Sequence, residues 1–130
     1  MTTLIEQTVF FDAAPHALYE ALMDSAQHAA FTNSPARISR ELGGAFMAYA
    51  GYITGTNEEL LPDQKIVQRW RAMDWPEDYF SLVTFLFTAQ EGGTRLDFRH
   101  SDVPEGTEAE YGQGWIDNYW EPLKAFLKEQ

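Results

Sequence analysis

YGQGWIDNYWEPLKAFL, residues 111–127, reads as one amphipathic helix of unusual aromatic content. Placed at about 100° per residue, Tyr111, Trp115, Ile116, Tyr119, Trp120, Leu123, Phe126 and Leu127 fall within one half of the circumference. Gln113, Asp117, Asn118, Glu121, Lys124 and Lys128 occupy the other half. A surface helix shows an apolar arc of roughly 100°, so a half-circle carrying two Trp and two Tyr has to be wrapped from two sides. A curved sheet does that. Pro122 falls inside the periodicity, has no N–H for the carbonyl of Asn118, and predicts a bend after Trp120. The helix then divides into an aromatic segment and a Leu123–Leu127 end that closes the core.

Working outward, the length of 130 residues predicts one domain, residues 1–130. The chain is 45% hydrophobic and 15% aromatic, which suits a well-filled interior, and no apolar run approaches the roughly 18 residues of a membrane span. The opening segment MTTLIEQTVFFD has neither a basic region nor a small-residue cleavage site, so the expected location is the cytoplasm. The absence of cysteine excludes disulfides, thiolate metal sites and thiol nucleophiles. With 20 acidic against 9 basic residues, the net charge of −11 repels phosphate backbones, and neither nucleic acid nor membrane is an expected partner.

Residues Leu4 to Phe11 read as a strand with Ile5, Val9 and Phe11 on one side. Pro15 opens a short helix through Leu18, Tyr19, Leu22 and Met23, and Asp24 with Gln27 resembles a capping box that starts a second one, Ser25 to about Phe31. Asn33, Ser34 and Pro35 stop it. Short strands follow at Arg37–Glu41, Ala45–Ala50, Tyr52–Leu61, Gln64–Arg71, Phe80–Thr88 and Thr94–Ser101, joined at Gly43-Gly44, Pro62-Asp63 and Glu91-Gly92-Gly93. Gly51 and Gly55 let the long third strand bulge or bend. The fold class is α+β: an antiparallel sheet of about seven strands curved around the last helix. Alternation assigns Leu96, Phe98 and His100, then Ile66, Gln68 and Trp70, then Val83, Phe85 and Phe87 to the concave side.

The ordered signals Gly43-Gly44-Ala45-Phe46, Gly51, Gly55, Glu59-Leu60, Pro62, Ile66-Val67-Gln68-Arg69-Trp70-Arg71 and Trp75-Pro76 run along this frame. They continue as Ser81 with Val83-Thr84, Gly93-Thr94 with Leu96, Val103-Pro104, and Gly114-Trp115 with Leu123-Lys124. In this the chain resembles the activator of heat-shock protein 90 ATPase homologue-like family, within the START-like (birch-pollen-allergen-like, SRPBCC) helix-grip superfamily, over essentially its whole length. The resemblance implies a β-α-α-β6-α chain, a possible chaperone partner and a place in the stress response. Activators with this domain usually pair it with a separate N-terminal domain. Some superfamily relatives are cyclases or lyases, which leaves an enzyme as a third reading by fold alone.

A sheet curled around a helix often encloses a ligand space. Phe46, Trp70, Phe85, Phe98, Trp115 and Tyr119 would supply apolar walls, with Gln68, His100 and the Tyr119 hydroxyl as polar points. The leading expectation is a non-enzymatic domain that binds a small apolar or aromatic ligand there, and the alternative is that large aromatics fill the space as core. His100 has no orienting carboxylate on its face, so no catalytic residue is assigned. No pair of histidines has zinc-ligand spacing, and no metal or cofactor is expected. Phosphate loops and dinucleotide fingerprints are missing, since Gly51-x-x-x-Gly55 lies inside a strand. Lys65, Arg69, Arg71, Arg95 and Arg99 share the opposite, charged side of the sheet. They are either ordinary solvated charge or a docking stripe for a chaperone. Trp75 is read as a cap on the end of the core.

Overall fold

A computed structural model describes residues 3–128; the first two residues of the opening segment and the last two of the chain lie outside it. β1 (Leu4–Phe11) leads into α1 (Pro15–Met23) and α2 (Ser25–Thr32). Six further strands follow: β2 (Arg37–Ile38), β3 (Ala45–Ala48), β4 (Ile53–Leu61), β5 (Lys65–Ala72), β6 (Ser81–Gln90) and β7 (Gly93–Ser101). All seven form one antiparallel sheet in the order β1-β7-β6-β5-β4-β3-β2. β1 is thus the edge partner of β7, and the meander β2–β7 is sequential. The C-terminal helix comprises α3 (Glu108–Trp115), a widened π-helical turn (Ile116–Trp120) and α4 (Glu121–Lys128).

The two short helices meet at Asp24, whose carboxylate accepts from the Gln27 backbone N–H at 3.0 Å. That is the N-cap half of the expected box. α2 ends on Asn33, in the left-handed conformation at φ 54°, where a short polar side chain is tolerated. In β6, Ser81, Val83, Phe85 and Phe87 are buried while Leu82 and Leu86 are exposed. The concave side is therefore Val83, Phe85 and Phe87, as alternation predicts.

Four local readings are corrected. The strand expected over Arg37–Glu41 pairs only at Arg37 and Ile38. The strand expected over Ala45–Ala50 ends at Ala48, because Tyr49, Ala50 and Gly51 all take positive φ (51°, 57° and 96°) and turn the chain sharply into β4. Gly55 does not mark the bulge in β4; the register shifts between Asn57 and Glu59. Gly55 instead allows contact between elements, since a Cβ there would lie 1.8 Å from the Arg69 carbonyl oxygen and 2.6 Å from the Phe46 ring. Lastly, Ile116 is 36% exposed. It stands at the start of the π-helical turn, which rotates it away while keeping Tyr119 and Trp120 both buried against the sheet.

The bend that Pro122 predicts is absorbed in that wide turn, where the Glu121 N–H reaches back to the Ile116 carbonyl. The Asn118 carbonyl, which residue 122 would bond in a regular helix, accepts from the Tyr49 hydroxyl at 2.7 Å. One sequence irregularity thus ties the last helix to the strained 49–51 turn. A second tie runs through Gln7, which accepts from Trp120 Nε1 at 2.6 Å and donates to the Gly112 carbonyl at 2.9 Å.

Candidate functional site

Between sheet and helix the side chains form a continuous aromatic packing. The Trp115 ring stacks on Trp120 at 5.6 Å and 21°, and lies 4.5 Å from Phe98 and 4.6 Å from Tyr119. Of the eight residues named for a ligand space, Phe46, Gln68, Trp70, Phe85, Trp115 and Tyr119 do converge, with Leu22, His28, Ile38 and Ile66. The space they surround measures about 20 Å³, the room of roughly one water. Phe98 and His100 lie outside its lining, packed among Trp70, Trp115 and each other. The filled-core alternative describes this interior.

Most polar groups inside are committed to one another; His28 Nδ1 is the buried atom there without a partner. The Ser81 hydroxyl donates to the Trp70 carbonyl at 2.8 Å, so it accepts from His100 Nε2 at 2.7 Å. Trp115 Nε1 donates to His100 Nδ1 at 3.0 Å. We assign the Nε2–H tautomer on this network. A protonated His100 would set a second N–H against the indole donor, and burial holds its pKa down at about 3. With both ring nitrogens engaged and no carboxylate partner, His100 is a structural core histidine. His28 is likewise held down at about 4 by burial, and its Nε2 pairs with the Tyr119 hydroxyl at 3.0 Å. Gln68 points inward and donates to Asn57 Oδ1 at 3.0 Å; Asn57 in turn donates to the Ser39 and Glu41 carbonyls at 2.7 and 3.0 Å. The Asn57 bulge is thereby pinned to the loop before β3.

A larger space opens at the end of the sheet beside the 49–51 turn. It is a cleft of about 410 Å³ lined by Tyr49, Tyr52 and Ile53 from the turn and β4, Trp70 from β5, and Glu110, Tyr111, Gly114, Trp115, Asn118 and Tyr119 from the helix. Only Trp70, Trp115 and Tyr119 are shared with the predicted lining. Tyr49, Tyr52 and Tyr111 were missed. Tyr111 was legible as the first residue of the aromatic arc, whereas Tyr49 and Tyr52 reach the cleft through a left-handed turn that periodicity does not encode. Burial pushes the Tyr49 phenol up to about 12 and raises Tyr119 further, so both stay neutral. Trp75 does cap the core end: its ring packs on Trp70, Tyr79 and Tyr111 at 5.4–5.6 Å, and its Nε1 donates to the Tyr111 hydroxyl at 2.8 Å.

On the outer face the five basic residues are less free than the sequence suggests. Lys65 is bridged to Glu59 at 3.2 Å, Arg95 to Asp97 at 3.1 Å and Arg99 loosely to Glu6 at 3.8 Å. Arg71 donates to the Trp75 and Pro76 carbonyls and orders that loop. Arg69 stands 4.1 Å over the Phe80 ring and is exposed. Among the described residues, no group of three or more His, Asp or Glu side chains is arranged to hold a metal ion, and no helix is long and apolar enough to cross a membrane.

The profile of the family described as activator of Hsp90 ATPase homolog 1-like protein matches residues 12–128. The chain belongs to that family. The Homo sapiens activator of 90 kDa heat shock protein ATPase homolog 1 is 32% identical over 114 residues, which are 88% of this chain and 34% of that protein. The Mus musculus activator homolog 2 is 30% identical over 127 residues, 98% of this chain and 38% of that protein. The chain therefore spans about a third of the length of these relatives. Among solved structures, an HSP90 activator from Plasmodium falciparum superposes with a TM-score of 0.89 at 28% identity, covering 96% of each chain. The Aha1 dimer from Colwellia psychrerythraea gives 0.82 at 19% identity, again over 96% of each chain, and shares the helix-grip fold.

Proposed function

We propose that this member of the Hsp90-activator-like family is a chaperone-interacting module. The observation that carries the reading is the likeness to the Plasmodium falciparum HSP90 activator, which extends over 96% of both chains. The space around Gln68 and Phe85, about 20 Å³, offers no preformed ligand pocket in the interior that would compete with this reading. The contact face is the outer side of β5–β7. There Arg69 and Arg99, the least committed of the five basic residues, flank the exposed Leu82 and Leu86. A basic and apolar face on a chain of net charge −11 suits an acidic partner surface.

Binding to purified heat-shock protein 90 tests this, measured by calorimetry alongside ATP turnover. Charge reversal at both sites, Arg69→Glu with Arg99→Glu, weakens binding by at least about tenfold, the scale of losing charge complementarity at an interface. An affinity indifferent to that pair of changes contradicts the reading.

A second reading is favoured by the 410 Å³ cleft: binding of a small apolar or aromatic ligand, at the end of the sheet rather than in the interior. Its volume falls within the usual range for small-molecule sites. The two readings use different faces and are separable by mutation.

A further inference from the structure

The cleft beside the 49–51 turn is specific about what it offers a ligand. Six of its lining side chains are aromatic: Tyr49, Tyr52, Trp70, Tyr111, Trp115 and Tyr119. Nearly all of their polar atoms already have partners. The Tyr49 hydroxyl donates to the Asn118 carbonyl at 2.7 Å and the Tyr52 hydroxyl to Asp74 Oδ1 at 2.9 Å. The Tyr111 hydroxyl accepts from Trp75 at 2.8 Å, the Tyr119 hydroxyl pairs with His28 at 3.0 Å, and the Trp115 N–H donates to His100 at 3.0 Å. What remains for an occupant is mostly ring surface, with the Trp70 N–H and the Asn118 side-chain amide the uncharged lining groups that make no hydrogen bond among the described residues.

The charges around the space have one sign. Glu110 is the one charged residue of the lining, and no Lys or Arg contributes to it. Asp74 stands behind Tyr52. The two histidines behind the wall, His28 and His100, are neutral at physiological pH because burial disfavours their charged forms. Aromatic faces carry negative potential and attract cations; the carboxylates and the net charge of −11 add to that field. An anion would meet the Glu110 carboxylate and the negative ring faces, and a neutral ligand would forgo the charge attraction of both.

The backbone supports the same assignment. Tyr49 and Ala50 are non-glycine residues held at φ 51° and 57°, a conformation that disfavours side chains and persists where the surroundings impose it. Here the Ala50 N–H bonds the Pro35 carbonyl at 3.0 Å and the Tyr49 hydroxyl bonds the helix. The strained turn sets Tyr49 and Tyr52 in the lining of the cleft, together with Tyr111 from the helix.

We propose that the cleft binds a compact organic cation, a quaternary or alkylated ammonium group, with its charge against the tyrosine and tryptophan faces and within reach of Glu110. This rests on the reading of the cleft as a small-ligand site and names the chemical class of that ligand.

The test titrates the full chain separately with choline and with its uncharged isostere 3,3-dimethylbutan-1-ol, followed by tryptophan fluorescence and by NMR of the aromatic rings. Choline binds at least about fivefold tighter than the isostere, as expected for a cation held by aromatic faces in a partly desolvated site. Glu110→Gln lowers choline affinity about two- to threefold, the scale of one exposed charge contact, and leaves the isostere unchanged. Tyr52→Leu lowers choline affinity more than isostere affinity. Phosphatidylcholine vesicles separate a lipid headgroup from a free cation as the source: retention that choline competes away assigns the headgroup, and no retention assigns the free cation. Equal or tighter binding of the isostere overturns the cation assignment and leaves the small-ligand reading standing. Failure of both compounds to move the cleft resonances overturns both.

Discussion

The interior between sheet and helix and the cleft at the sheet's end share a wall and differ in everything else. Trp70, Trp115 and Tyr119 face both. On one side they close on Phe46, Phe85 and Gln68 around about 20 Å³; on the other they face about 410 Å³ bordered by Tyr49, Tyr52 and Tyr111. The interior is packed mainly by residues at regular strand positions, with Tyr119 and Trp120 from the π-helical turn pressed against them. The cleft exists because two irregular segments meet there, the left-handed 49–51 turn and the π-helical turn at 116–120, joined through the Tyr49 hydroxyl and the Asn118 carbonyl. The same irregular helical turn thus fills the interior with Tyr119 and Trp120 and, where it meets the left-handed turn, borders an open cleft.

The sharpest way to break the interior is Trp120→Ala. Trp120 is 2% exposed, packs on Phe98 at 5.1 Å and donates to Gln7. Its removal should cost about 3–5 kcal/mol by the usual scale for large aromatic truncations in cores. Urea unfolding measures this; a loss under about 1 kcal/mol would mean that the interior is not closely packed.

Acid is the next largest perturbation, and it acts on the same region. The His28 and His100 pKa values are depressed from 6.5 to about 4 and about 3 in the folded chain. Between those values and 6.5 the unfolded state binds more protons, so stability rises with pH and falls on acidification. Two such histidines should together remove about 3 kcal/mol by pH 5.5, at roughly 1.4 kcal/mol for each pKa unit crossed. Unfolding curves at pH 7.5 and pH 5.5 test it. A flat profile, or an unchanged slope in His100→Phe, contradicts the buried neutral network.

The cleft side predicts a smaller effect of opposite sign. Gly114 lines the cleft, and a Cβ there meets only the Asn118 side chain at 3.8 Å. Gly114→Ala should therefore stabilise the chain by about 0.5–1 kcal/mol through helix propensity. A loss of stability would show that this face of the helix is already covered.

Much of this was legible in the sequence. Parity along the strands assigns Val83, Phe85, Phe87, Leu96, Phe98 and Trp70 to the concave side, and the helical arc yields Trp115, Tyr119, Trp120, Leu123 and Leu127. The same parity places Gln7 and Ser81 inward, a signal that was present and unread because both are polar. The cleft was not legible. Its volume depends on how rings pack, and its lining depends on Tyr49 and Ala50 taking a conformation that their residue types do not favour. The ion pairs of the basic stripe were not legible for the converse reason: Glu59, Asp97 and Glu6, which pair with three of its members, come from strand pairing and within-strand neighbours that a count of positive residues ignores.

The central claim is that any ligand meets this domain in the cleft bordered by Tyr49, Tyr52 and Tyr111 and not in the small space around Gln68 and Phe85. Ring resonances followed during a choline titration, in the native chain and in Gly114→Leu, test it most directly. The expected result is movement of Tyr49, Tyr52 and Tyr111, stationary Phe85 and Phe98, and loss of all movement when the leucine side chain enters the cleft. Shifts centred on Phe85 and Phe98, persisting in Gly114→Leu, would contradict it.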